Sequence, residues 1–350
     1  MKQLSLSSLL LLGLAATLSA QGDAHDLRTT AKKGASVWIA QESKSEQAID
    51  MGGQQMDMGN TITYLLQVTV ADVDDKGMLT VEAKIGRVFG TMTIPMMGDI
   101  EFDSIDQKAD DAAAEEDESG MPNFDAIGQA MGSLAGAVFT AKVDPFGQVK
   151  SMEGVTKVLD AARKKGGRMG GQMLGGQLNE SAMERLVESA FGILPEQPIA
   201  VGASWDRNED QKASRMNVSN KMKLTLTKHE AESFEITASG TVEKAASTAE
   251  PAKDGEDEQA AMQREMMAQM KIENGKITGT AKVSRTDGFL VASSSTMSMD
   301  MTMPSPMGGG EMTINQKVTT TTKRTTAEAA TKKAGAVKEA PKEAAKDAGK

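Results

Sequence analysis

The chain has 350 residues and a formal charge of −10 at neutral pH, from 49 acidic and 39 basic side chains. That sign is wrong for a surface that neutralises phosphates, which excludes a nucleic-acid partner. Cysteine is absent, whereas 26 Met stand against 8 Phe, 2 Trp and 1 Tyr, so disulfides, thiolate metal sites and thiol nucleophiles are excluded together, and thioethers replace aromatic bulk in the core.

Lys2, an apolar run over 9–16 and small residues ending at Ala20 form the parts of a secretory signal peptide over 1–20. The run is shorter than the roughly 20 residues that span a bilayer. No cysteine follows it to carry a lipid. The expectation is an exported chain, periplasmic or extracellular, without a transmembrane segment once the signal is cut after Ala20. A flexible polar lead over 21–30 contains His25.

Strand patterns begin at Trp38. The run 62–70 (ITYLLQVTV), a turn over Asp72–Gly77 and the alternating 78–85 (MLTVEAKI) predict a hairpin. Further strands are expected over 88–94 and 100–102. The acidic stretch 105–123 repels itself and reads as a solvated insert. Residues 139–152 resume as a hairpin with Asp144-Pro145-Phe146-Gly147 at its turn. These pieces make up a first β-rich half over 31–152.

Residues 153–195 read as a helical, Gly- and Met-rich crossover. Val155, Val158, Leu159 and Ala162 fall at helical spacing, and a second helix over 181–191 has Asn179 or Ser181 as cap. The glycines of 166–176 break any element between them. A second β-rich half over 196–325 restarts like the first: Gly34-Ala35-Ser36-Val37-Trp38 is echoed by Gly202-Ala203-Ser204-Trp205, the mark of an internal duplication. It carries a low-complexity insert over 245–270. The Ala-, Lys- and Glu-rich tail over 326–350 is expected to be disordered. The fold class is therefore α+β, mainly antiparallel β, with two related halves (sheets or half-barrels) joined by the crossover.

Chemistry-bearing motifs are few. Met297, Met299, Met301 and Met303 alternate with polar residues, so a period of two puts all four on one strand face. Packed inward they fill a core; exposed and clustered, soft thioethers would bind Cu(I). His25 and His229 sit in no metal-spacing motif. No G-x-S-x-G elbow is present, although a Ser–Lys hydrolase would leave little trace. The 166–176 glycines lack the Lys-Ser/Thr ending of a phosphate loop. The Asp72–Gly77 turn opens like a calcium loop, but Ala83 stands where the closing Glu belongs. No cofactor is called for.

The segment Leu194-Pro195-Glu196-Gln197-Pro198-Ile199-Ala200-Val201-Gly202-Ala203-Ser204-Trp205 resembles an uncharacterised family of exported bacterial proteins, in which L-P-x-x-P-[VI]-x-V-G-[DA]-S-W lies between two β-rich halves. Lys32-Lys33-Gly34 before Trp38, the Asp72–Gly77 turn and Phe102-Asp103-Ser104 also fit its pattern. The resemblance implies export and this architecture, and assigns no activity. The functional expectation is a non-catalytic envelope protein that holds an apolar small molecule, a lipid or a partner segment of another envelope protein. Met297, Met299, Met301, Met303, Trp38 and Trp205 are the candidate lining; Cu(I) binding by the four methionines and a motif-less hydrolase are the alternatives.

Overall fold

The structure, a computed structural model, describes residues 23–94, 98–106, 124–165, 179–213, 216–245, 268–305 and 310–332. The expected signal peptide, nearly all of the acidic insert, the 166–176 glycines, most of the second insert and most of the tail lie outside these residues.

The alternating runs form strands as expected, several of them longer than their sequence signals. In chain order they are β1 (Ser36–Met51), β2 (Gln54–Val73), β3 (Leu79–Ile94), β4 (Gly98–Asp103), β5 (Val138–Val143) and β6 (Val149–Glu153), then β7 (Ser204–Ala213), β8 (Met216–His229), β9 (Ser233–Lys244), β10 (Lys271–Ser284), β11 (Leu290–Pro304) and β12 (Glu311–Thr325). All belong to one antiparallel sheet in the order β6-β5-β3-β2-β1-β12-β11-β10-β9-β8-β7, with β4 paired to β3. The fold is thus mainly antiparallel β, and its two halves share a single sheet. They meet along β1 and β12, which pair from Trp38↔Thr325 to Met51↔Met312.

The tight turns follow from their residues. Asp74 Oδ1 accepts the N–H groups of Lys76 and Met78, and Gly77 takes a φ of 81°. Asp144 repeats this with Phe146, Gln148 and Gly147 at 86°. In each turn one carboxylate oxygen accepts two N–H groups of the turn, as Asx turns do; the other oxygen of Asp144 pairs with Lys150. The restarts of the two halves match as closely. Gly34 and Gly202 both sit near φ +86°. Each donates its N–H across the sheet, to Val70 O and Leu226 O, and Ser36 and Ser204 each pair their hydroxyl with a threonine, Thr69 and Thr225.

Among the described residues three helices cover part of one sheet face: α1 (Phe124–Gly132), α2 (Val155–Lys165) and α3 (Glu180–Glu188). The last two were expected, and Asn179 caps α3 by accepting the N–H of Ala182 at 2.8 Å. The first was not, because Gly128 and Gly132 interrupt its apolar spacing. Met131, Leu159, Met183, Leu186, Val187 and Phe191 from this layer bury against Ile39, Leu66, Val68, Val81 and Ile85 of the sheet. Phe191 also meets Phe289, ring centroids 5.3 Å apart.

Two segments expected to be loose are held. The lead pairs His25 with Ile199, buries Leu27, and donates Thr29 N–H to Pro145 O and Thr30 Oγ1–H to Arg285 O. Its backbone groups find partners, which a flexible segment would leave to water. The start of the tail forms a 3-10 turn, Ala327–Ala330. Arg87, nearly buried and ion-paired with Asp103, donates to the carbonyls of Ala329 and Lys332 and latches it down.

Candidate ligand-binding cavity

Residues opposite each other on neighbouring antiparallel strands share a sheet face, with about 4.8 Å between strands. One row on the helix side reads Tyr64, Gln41, Thr322, Ser293, Ala281, Ile236. The next reads Ile62, Ser43, Thr320, Ser295, Gly279, Ala238, Leu224, and a third Asn60, Ser45, Val318, Met297, Ile277, Gly240, Met222. At the seam of the two halves this face is therefore a patch of hydroxyls and amides, bordered by aliphatic and thioether side chains.

Helix α3 lies over this region, and between it and the sheet is a cavity of about 620 Å³. Its floor is the seam patch with Ile62, Val318, Met297, Ile277, Met222, Leu224 and Ile236; its roof is Ala182, Met183, Arg185, Leu186, Glu188 and Ser189. The volume lies within the range of about 300–1,000 Å³ typical of small-molecule sites. Gly279, Ala238 and Ala281 put little side-chain volume into it.

The electrostatics are uneven. Burial pushes the Tyr64 hydroxyl well above its ordinary range. Burial likewise raises the Glu188 carboxyl, partly offset by the Val149 N–H it accepts at 2.9 Å and by the nearby Arg207. Arg207 donates from Nε and Nη2 to the one oxygen Oε1 of Glu209 on the inner face of β7, and the pair is largely removed from solvent. Asn220, 1% exposed, stands across from Glu209, and its Oδ1 has no hydrogen-bond partner.

The candidate residues separate. Met297 lines the cavity. Met299, Met301 and Met303 continue the same face beyond it and pack with Val218, Val242 and Met270 in a satellite core. Trp205 shares the inner face and packs near Leu224 and Leu226, with its Nε1–H unpartnered. Trp38 lies on the opposite face, against Ala40, Leu65, Phe89 and Ala330. The echo explains why: Ser36 and Ser204 occupy equivalent places, so the extra Val37 shifts Trp38 by one residue and flips its face. His25 and His229 stack at 3.6 Å outside the cavity, and burial, followed by His25 and Arg285, holds His229 below its usual range. Sequence reasoning missed this pair, the seam patch and Asn220. Only the hydroxyl runs 293–296 and 319–322 hinted at the patch.

A second hollow of about 780 Å³ lies on the sheet face away from α3, where Lys44, Glu46, Thr61, Thr91, Asn315 and Lys317 of neighbouring strands make its lining polar and charged. Among the described residues there is no group of three or more His, Asp or Glu placed to hold a metal ion, and no helix is long and apolar enough to cross a membrane.

The fold and site thus define a helix-capped antiparallel sheet with an amphipathic cavity at the junction of its two halves. The chain belongs to a family of unknown function, DUF6263, whose model matches residues 76–290, a span that includes α3, the Leu194–Trp205 segment and most of the second half. No curated protein matches it. Three solved structures show distant likeness: one of lipid–protein interactions in lipovitellin (8% identity, 84% of this chain and 25% of that one, TM-score 0.40), the outer membrane protein OprG from Pseudomonas aeruginosa (7%, 84% and 98%, TM-score 0.22), and DynF from the dynemicin biosynthesis pathway of Micromonospora chersina (5%, 88% and 88%, TM-score 0.21). The chain spans a quarter of the lipovitellin chain. Scores this low define no shared fold, and the likeness ends there.

Proposed function

We propose that the protein is a non-catalytic binding protein, exported to the cell envelope, that encloses a mainly apolar small molecule or lipid chain between α3 and the sheet. The observation that carries this reading is the open volume beneath α3, in a face that elsewhere packs into buried clusters. A concave space with aliphatic walls and a few polar groups is the usual form of a small-molecule site, and those walls gain when an apolar ligand replaces water against them. Export rests on the signal-like 1–20 segment alone. Met299, Met301 and Met303, packed among aliphatic side chains, account for the methionine alternation by core filling.

The test is uptake of the apolar dye N-phenyl-1-naphthylamine by delipidated full-length protein. Ala238→Phe, which puts a ring into the cavity, should weaken uptake by about tenfold or more, while thermal unfolding stays cooperative. No uptake by the native chain, or unchanged uptake by the variant, would remove this reading. Native mass spectrometry before delipidation should show a retained ligand mass.

A further inference from the structure

We propose that Asn220 sets the specificity of this cavity: it selects an elongate, mainly apolar molecule carrying a neutral hydrogen-bond donor, a hydroxyl or amide N–H, over the same molecule without one. The inference rests on the cavity being a ligand site and adds the chemistry of what that site takes.

Asn220 lines the cavity at 1% exposure, and among the described residues no donor reaches its Oδ1. Its neighbours on the face explain why. Val242 stands opposite on β9 and Glu209 on β7, while Val218 and Met222 flank it along β8. The valines and the methionine have nothing to donate, and the Glu209 carboxylate is an acceptor already engaged by Arg207. Oδ1 is closed to solvent and stands unmet in the protein alone. A ligand that supplies a donor there gains a hydrogen bond, worth about tenfold in affinity, that the same ligand without one forgoes.

Charge narrows the class. At Asn220 itself a ligand carboxylate would bring acceptor against acceptor, with Glu209 across the strand pair; the cation an anionic head would seek is Arg185 in the roof. A cation gains little from Glu209, whose charge is met by Arg207 at 2.6 Å, and it must still be desolvated. A neutral donor meets neither objection.

The experiment displaces N-phenyl-1-naphthylamine from the full chain with two probes of equal heavy-atom count, dodecan-1-ol and 1-methoxyundecane, and with dodecanoate. The alcohol should displace the dye at about tenfold lower concentration than the ether, although the ether is the more apolar, and dodecanoate should be weaker than the alcohol. Asn220→Leu should bind the dye and treat alcohol and ether alike. Equal displacement by the two probes in the native chain overturns the assignment, as does a preference that survives Asn220→Leu. The native-chain comparison decides the matter if the variant does not fold. If the native chain takes up no dye, the cavity reading falls and this inference with it; uptake without discrimination removes the Asn220 role alone.

Discussion

The helix-side face of the sheet is treated in two ways. Where the first half lies under the helices, strands present Ile39, Leu66, Val68, Val81 and Ile85, and these side chains are buried. At the seam and into the second half, the same face presents Gln41, Ser43, Thr320, Ser293 and Ser295, and the space stays open. Strand geometry is the same in both. The difference lies in solvation: a fully covered face cannot keep hydroxyls without dedicated partners, whereas a cavity that admits solvent or ligand can.

The largest contrast is expected from truncating one side chain in each region. Phe191→Ala, fully buried against Phe289, should cost about 3–5 kcal/mol by urea unfolding. Ser295→Val on the cavity floor should change stability by no more than about 0.5 kcal/mol and leave dye uptake intact or stronger. Similar losses for the two would mean that the seam is packed as tightly as the helix-covered core.

A smaller effect tests the equivalence of the two halves. Gly34→Ala and Gly202→Ala each force a left-handed φ, 85° and 87°, on a residue whose Cβ meets nothing within 4 Å. Strain alone should cost about 1–2 kcal/mol at both sites. Unequal losses would count against a common local structure.

The smallest effect is a pH dependence. Burial raises the Glu188 carboxyl above its ordinary 4.5 in the folded protein, so the folded state holds that proton more tightly than the unfolded chain. This contribution is complete below 4.5 and is lost as the pH rises through the folded value. Glu188→Gln should therefore gain stability relative to the native chain between pH 4 and pH 7, read as a growing difference in urea midpoints. A constant difference would place Glu188 in a solvated setting.

Much of the architecture was legible because its causes are local. The Asp74 and Asp144 turns, the Asn179 cap and the strand runs each depend on a few adjacent residues. The methionine alternation correctly indicated a single face, and three of the four thioethers are buried on it. It could not indicate that Val218 and Val242 would cover Met301 and Met303 while Met297 faced open space, since that depends on strands some 60 to 80 residues earlier in the chain curling over β11. The candidate site was hidden for the same reason: Ser293, Thr320 and Ser43 come together only through pairing of chain ends.

By itself, the sequence determined an acidic, cysteine-free, mainly antiparallel chain with a repeated restart motif and a helical crossover, because charge, turn chemistry and residue period act over a few positions. Tertiary structure alone decided that β1 and β12 close the halves into one sheet, that Trp38 and Trp205 face opposite ways, and that Asn220 keeps an unmet acceptor in a cavity. Those outcomes depend on which distant strands pair and which faces helices cover, and hydrogen-bond pairing between backbones carries no residue-specific signal that fixes the choice in advance.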